Sequence, residues 1–465
     1  MKSYIFPQKI VLRDRANCEN LLKKQPLQIG LSETKTSLFE HGAFVVLDFG
    51  KEIGGGVRIL THRADTNIRI RFGESLSECC AELGGEKNAT NDHSLRDFKV
   101  QLKNHSDMTF GQTGFRFVRI DFESNAEIKS IVAESYIFQK SALYTYRGND
   151  ECIRQIYECA KRTVDLCTAK GYVWDGVKRD RLVWVGDMHP EMLALTSLYG
   201  KVGAIEKSLD FVKAQTPLPN WMNGIAMYSM WWIIVVADYY ERTKATAFAK
   251  KQISYLKGLL SLMDECVKDD GFMDYPFYFV DWPSSDKADR EHGVRAIHII
   301  AVQKAIVLLR AFGESCDTAL RLLDKLKKVE MSPVQSKQII ALKYFATQTL
   351  SEEEKQMLVK GGAQGLSTFM SYYILKAIAS FDKQKAICIM KEYYGAMLDK
   401  GATTFWEDFD MDWVENSCKI DELPTSSQKD IHGDYGKYCY KGFRHSLCHG
   451  WSAGVIAFIK EECEM

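Results

Sequence analysis

The stretch WDGVKRDRLVWVGDMHPE, Trp174–Glu191, decides how the rest of the chain is read. Seven of its eighteen residues are charged and two are tryptophans, yet it lies between two segments of helical period. It is too charged for a core helix and too aromatic for an ordinary solvated loop. The next connection, Gly200-Lys201, is by contrast a tight link. This alternation of long and short continues down the chain. The apolar period predicts twelve helices, at roughly 149–169, 187–199, 202–216, 226–243, 246–268, 292–312, 315–328, 333–347, 351–360, 366–380, 383–399 and 446–461. Tight links follow the even-numbered helices, whereas 170–186, 217–225, 269–291 and 400–445 are long. A tight link makes neighbouring helices antiparallel. The long connections therefore emerge at one end of the bundle. Six of the nine tryptophans lie in them: Trp174, Trp184, Trp221, Trp282, Trp406 and Trp413. Twelve helices in six hairpins fit a closed double ring, an (α/α)6 barrel. One face would then carry a cleft of carboxylates and aromatic rings.

Residues 1–145 follow a different period. AFVVLDFG, GGVRILTH, NIRIRFGESL, FKVQLK, FRFVRIDF and AEIKSIVAESYIF are short, rich in Val, Ile and Phe, and often alternate. Such strands, separated by Gly, Asn, Asp or Ser, predict an antiparallel β-sandwich. The expected organisation is thus a β-sandwich over 1–145 and an (α/α)6 barrel over 146–465, a multidomain β + α fold. The length of 465 residues agrees, since single cores stop growing well below it.

Composition excludes several classes of function. Lys plus Arg and Asp plus Glu number 61 each, a balance with no electrostatic footprint for nucleic acid or an anionic membrane. No apolar run reaches the ~18 residues of a membrane span. The start, MKSYIFPQKIVLRD, has no apolar core of signal-peptide length. The thirteen cysteines are odd in number and scattered, as reduced thiols of a cytoplasmic protein would be.

A cleft of this kind suits a sugar. Aromatic faces stack on the C–H faces of a pyranose, and carboxylates bind its hydroxyls. Acetal hydrolysis needs one protonated carboxyl to release the leaving oxygen and one ionised carboxyl to activate water or attack carbon. Burial raises a carboxyl pKa and a nearby cation lowers it. The Trp174–Glu191 stretch offers both environments: Asp180 stands between Arg179 and Arg181, with Asp175 and Asp187 on either side. The competing reading is structural. Charge runs between helices are often solvated, and Asp187 is placed to cap the helix that follows.

Asp175-Gly-Val-Lys-Arg179-Asp180-Arg181-Leu-Val-Trp184-Val-Gly186-Asp187 resembles the signature of the bacterial α-L-rhamnosidases of glycoside hydrolase family 78. Gly401-Ala-Thr-Thr-Phe-Trp406-Glu407 resembles the second carboxylate motif of that family. FVDWPSS at 279–285 and SLCHGWSAG at 446–454 resemble its other barrel segments. LDFGKEIGGGVRI at 47–59 and IRIRFGESL at 68–76 are similar to its preceding sandwich. The resemblance implies Asp180 as general acid and Glu407 as general base of an inverting hydrolase. It implies that Asp175, Arg179 and Asp187 hold rhamnose hydroxyls. Trp184, Trp282 and Trp406 are expected in the same cleft; His449, at the mouth of the last helix, is read as a further hydroxyl ligand, with a satisfied core histidine as the rival reading. Two departures stand out. The usual acid of the family is Glu, so Asp180 sets the carboxyl back by one methylene; a misplacement of ~1 Å can cost on the order of 100-fold in rate. Many relatives also carry further β-domains, so the chain resembles a minimal form.

Other constellations are weaker. Cys439, His445, Cys448 and His449 cluster, but the C-x5-H-x2-C-H spacing fits no common zinc site, and no metal or cofactor is expected. MWWIIVVADYY at 230–240 is apolar nearly all round and reads as an inner-ring helix in which at most one of Trp231 and Trp232 faces the cleft. The three glycines of EIGGGVRI precede no helix, so a strand bend or bulge is expected and not a phosphate loop. The leading expectation is an inverting α-L-rhamnosidase acting on small rhamnosides or oligosaccharides. The alternatives are a glycosidase of the same fold for another sugar, and a carbohydrate-binding protein without catalysis.

Overall fold

The computed structural model describes residues 2–464 apart from 31–33, 285, 332–334 and 437–439. Cys439, Ser285 and the first two residues of the helix expected at 333–347 lie outside the described residues.

The first third of the chain forms seven strands: β1 (Lys2–Ile5), β2 (Lys9–Asn17), β3 (Ser37–Arg63), β4 (Thr66–Gly73), β5 (Asp97–Leu102), β6 (Asp107–Phe122) and β7 (Ala126–Tyr136). A short helix, α1 (Leu76–Cys80), follows β4 and is capped by the Ser75 hydroxyl, which accepts from Glu78 N. All pairings are antiparallel and connect the seven strands into one hydrogen-bonded sheet. AFVVLDFG and GGVRILTH, expected as two strands, are halves of the 27-residue β3. Register shifts between Asp48 and Ile53 and between Gly55 and Val57 break its pairing with β6. The expected bend at the glycines is therefore present. It needs them: a Cβ on Gly55 would stand 1.9 Å from Glu134 O, and one on Gly56 2.3 Å from Gly111 O. Strands β1 and β2 were not anticipated. Most of β2, KIVLRDRAN, is exposed or half-buried, so it lacks the apolar alternation of a buried strand.

The rest of the chain is helical: α2 (Glu151–Cys167), α3 (Met188–Tyr199), α4 (Gly203–Gln215), α5 (Ala226–Thr243), α6 (Thr246–Glu265), α7 (Lys287–Ala311), α8 (Asp317–Leu326), α9 (Lys337–Thr347), α10 (Glu352–Val359), α11 (Ser371–Ala379), α12 (Lys383–Asp399) and α13 (Val455–Phe458). The last is one α-helical turn between a 3-10 turn, Gly450–Gly454, and a π turn, Ile459–Cys463. Caps set several starts; Ser351 and Glu354 form a capping box on α10, and Asp382 accepts from Lys385 N on α12. The even–odd alternation appears in the packing. Helix α3 packs on α5, α5 on α7, α7 on α9, α9 on α11, α11 on α13, and α13 back on α3. Helix α5 is buried along most of its length, as MWWIIVVADYY requires. Outside this circuit, α2 packs on α12 and α6 on α8. Helix α8 shows the outer pattern: Ala319, Leu322 and Leu326 are buried, at the spacing of one helical face.

Each region has its own apolar core, one around Val45, Ile59, Phe115 and Ile131 and one running from Tyr144 to Ile459. Polar contacts join them. Thr113 Oγ1 donates to Lys178 O at 2.8 Å, and Glu52 N donates to Thr403 Oγ1 at 2.9 Å. Both contacts join a strand to one of the long connections.

Candidate active site

The 168–187 connection folds back on itself before entering α3. Strands β8 (Thr168–Ala169) and β9 (Tyr172–Val173) form a short hairpin. Asp175 then closes the loop: its carboxylate accepts from Leu182 N at 2.9 Å, and its N–H donates to Leu182 O at 3.1 Å. Between these points Asp180 and Arg181 adopt φ of 53° and 54°. Left-handed non-glycine residues cost free energy and persist where surrounding contacts over-determine them. Here the contacts belong to Arg179. Its Nε donates to Arg444 O at 2.8 Å, its Nη1 to Asp180 Oδ2, and its Nη2 to both oxygens of Glu407 at 2.5 Å. The guanidinium also lies 3.8 Å from the centre of the Tyr440 ring. One planar cation therefore holds two carboxylates that are 227 positions apart in the chain, Asp180 and Glu407.

Glu407 is buried and tied down from several sides. Ser446 N donates to Glu407 Oε2 at 2.8 Å, and Glu407 N donates to Ser446 O at 2.9 Å. The Glu407 carbonyl accepts from Thr368 Oγ1 at 2.6 Å and from Trp451 Nε1 at 3.1 Å. Beside it opens a pocket walled by Asp187, Asp281, Glu407 and Asp408 and by the rings of Tyr228, Trp231, Phe279, Trp282, Phe369 and Trp451. Asp187 begins α3, but its side chain makes no capping bond. It faces the pocket instead, with Tyr228 OH donating to Oδ1 at 3.4 Å. Burial, reinforced by Asp175 and Glu407, drives the Asp187 carboxyl well above the ordinary carboxylate range. His449 Nε2 lies 4.0 Å from Asp187 Oδ2 and 3.8 Å from Glu407 Oε1. Burial holds its imidazole down at about 4, so it is neutral near pH 7.

The expected residues divide into three groups. Asp187, Glu407 and Trp282 line the pocket, with Trp282 on its rim at 46% exposure. Arg179, Asp180 and His449 adjoin it through their contacts with Glu407 or with each other. Asp175, Trp184 and Trp406 do not line it. The Asp175 carboxyl serves its own loop, and burial pushes its pKa up to about 8. Trp184 stands edge-on to Tyr228 at 6.1 Å, one layer behind the wall. Trp406 is fully buried and packs edge-on against Phe409 at 5.5 Å; the expectation of a sugar platform gives way here to a core role. The physical reason lies in the connections, which are long enough to need apolar cores of their own. Trp413 stacked on Tyr435 is another such core. Helices and neighbouring loops supply most of the platform: Tyr228 and Trp231 at the start of α5, Phe369 before α11 and Trp451 before α13. Trp231 faces the pocket, whereas Trp232 points outward and donates to Leu209 O on α4 at 3.4 Å.

Asp281, within FVDWPSS, is a pocket residue that the motif resemblance did not assign. It is buried, accepts from Ser284 N at 3.2 Å and from Ser367 Oγ at 3.1 Å, and lies in the pocket wall. Of the suspected zinc constellation, Cys448 packs with Leu166, Cys167 and Val177, and His445 donates from Nδ1 to Gly442 O at 2.9 Å. The cysteines among the described residues are free thiols. Among the described residues no helix is long and apolar enough to cross a membrane.

The fold is similar to that of one class of proteins, the six-hairpin glycosidases. Within it, residues 142–319 match the family model for the bacterial alpha-L-rhamnosidase 6 hairpin glycosidase domain, in agreement with the resemblance read from the motifs. The whole chain superposes on a rhamnosidase from Klebsiella oxytoca with rhamnose bound, at a TM-score of 0.78 and 18% identity, covering 100% of this chain and 96% of that one. It also superposes on a family 78 rhamnosidase of Bacillus sp. GL1, at a TM-score of 0.71 and 18% identity, over 95% of this chain and 48% of the other. An alpha-L-rhamnosidase of Streptomyces avermitilis complexed with L-rhamnose gives 0.65 and 14% identity, over 90% and 42%. At these identities the likeness is one of fold. No curated protein sequence matches the chain.

Proposed function

We propose that the chain is an inverting glycoside hydrolase that releases terminal α-L-rhamnose from small rhamnosides or oligosaccharides. In this reading the α3–α5–α7–α9–α11–α13 circuit is the inner ring of an (α/α)6 barrel over 146–465, and residues 1–145 are a β-sandwich domain. The observation that carries it is the single guanidinium of Arg179 joining Asp180 to Glu407 beside an aromatic pocket with buried carboxyls. A sugar bound there stacks on the rings, with Asp187, Asp281 and His449 within the same cluster for its hydroxyls. Glu407 takes a proton from water as that water attacks the anomeric carbon. Asp180 gives its proton to the departing oxygen. Inversion needs the two carboxyls roughly 6.5–9.5 Å apart, with water between them.

A second reading assigns the acid to Asp187. Asp187 lines the pocket, and its burial favours the protonated form, whereas Asp180 lies behind Arg179. Leaving-group dependence separates the two. A general acid contributes about 10²–10⁴-fold, and least where the leaving group needs no proton. Asp180→Asn is expected to lose about that factor on a natural disaccharide and far less on an activated aryl rhamnoside. Glu407→Gln is expected to lose activity on both alike. If Asp187→Asn and not Asp180→Asn shows the leaving-group-dependent loss, the acid is Asp187. Turnover of another aryl glycoside in preference to the rhamnoside would instead favour a different sugar.

A further inference from the structure

We propose that His93, supplied by the sheet region, is a positioning residue for Asp180, a role that rests on the reading of Asp180 as the acid. Its Nδ1 stands 2.6 Å from Asp180 Oδ1, while Arg179 takes Oδ2. The two oxygens of this carboxyl are thus held from opposite regions of the chain. Arg179 alone would not define its position, because the same guanidinium is shared with Glu407. A carboxyl one methylene shorter than Glu has less reach, and its placement matters correspondingly more.

The segment that carries His93 runs between α1 and β5 and is fastened to the 430–444 connection. Phe443 N donates to Lys87 O at 2.8 Å, Asn88 Nδ2 donates to Lys441 O at 3.2 Å, and Lys87 Nζ pairs with Asp434 Oδ1 at 3.2 Å. Arg444 Nη2 pairs with Asp92 Oδ2 at 2.5 Å, next to the histidine. His93 itself has a φ of 62°, and it meets Asp180 at 53°. Two left-handed non-glycine residues thus meet through one close N···O contact, a backbone cost that the surrounding contacts sustain. The charged groups facing the ring are Asp180 on Nδ1, and Asp92 Oδ1 at 3.2 Å and Arg444 Nη2 at 3.4 Å on Nε2. In the acid step the O–H bond of Asp180 breaks and one forms to the glycosidic oxygen as the C–O bond parts. The carboxylate left on Asp180 then faces the His93 Nδ1–H, which keeps its proton. An electrostatic contact that strengthens as charge develops favours the transition state.

The test uses the full chain and two variants. His93→Leu removes the donor, and His93→Asn keeps an N–H near the place of Nδ1. The expected result for His93→Leu is a fall in kcat on a natural rhamnosyl disaccharide of about 10–100-fold with KM unchanged, and a much smaller fall on an activated aryl rhamnoside. His93→Asn is expected to recover most of the loss. A crystal structure of His93→Leu is expected to show the Asp180 carboxyl turned from its place. An unmoved carboxyl overturns the proposal, as does an unchanged kcat or an equal loss on both substrates. If the unaltered chain turns over no rhamnoside, the rhamnosidase reading fails separately, and the position of Asp180 in the His93→Leu structure still decides the proposal.

Discussion

Asp175 shows how a single buried carboxyl sets the behaviour of its loop. Its oxygen accepts from Leu182 N, and burial lifts its pKa to about 8. An unfolded Asp releases its proton near pH 4, so between about pH 4 and about pH 8 the folded state binds more protons. Stability contributed by this group is present below that window and is lost as pH rises through it. His445 and His449, held down at about 4 by burial, act in the opposite sense, costing stability as pH falls below about 6.5. The comparison of variant with wild type isolates the aspartate. Asp175→Asn keeps an oxygen for Leu182 and removes the titration. Its Tm is expected to fall less between pH 5 and pH 8 than that of the wild type, by an amount on the order of a few kcal/mol in stability. Thermal unfolding at both pH values checks this, and parallel Tm curves contradict it.

The alternation of long and short connections was the most legible feature of the elements. It depends only on apolar period and on where that period stops, and both are local properties of the chain. The two carboxylate motifs were legible for a similar reason, since each is contiguous. The direction of a side chain within a long connection was not legible. Trp282 and Trp406 both precede or follow a carboxylate of the pocket, yet one is on the rim and the other is fully buried. Trp406→Ala is therefore expected to cost about 3–5 kcal/mol in unfolding free energy. Trp282→Ala is expected to raise KM for a rhamnoside with little change in Tm. Denaturant unfolding and steady-state kinetics on the two variants check the assignment, and the reverse pattern contradicts it. Strand β2 is not legible because its side chains are mostly solvated, and β3 reads as two strands because a bulge at the glycines interrupts its alternation without ending it.

At the scale of the whole molecule, the sheet region takes part in the site. Glu74, at the end of β4, accepts from Ser446 Oγ at 2.9 Å and from Leu447 N at 2.5 Å. Ser446 N in turn holds Glu407. His93 reaches Asp180 from the same region. One carboxylate of the pair is thus supported through Glu74 and the other through His93. Neither link could be read from the sequence, because each joins residues far apart in the chain through a single contact. In the proposed reaction Glu407 and Asp180 act on opposite sides of the anomeric carbon, with water as the nucleophile. The most direct measurement is proton NMR of the anomeric signal in the first minutes after an α-L-rhamnoside is mixed with the protein. The expected first product is β-L-rhamnose, with the α anomer rising later by mutarotation; α-L-rhamnose first, or no release of rhamnose, would contradict the proposed reaction.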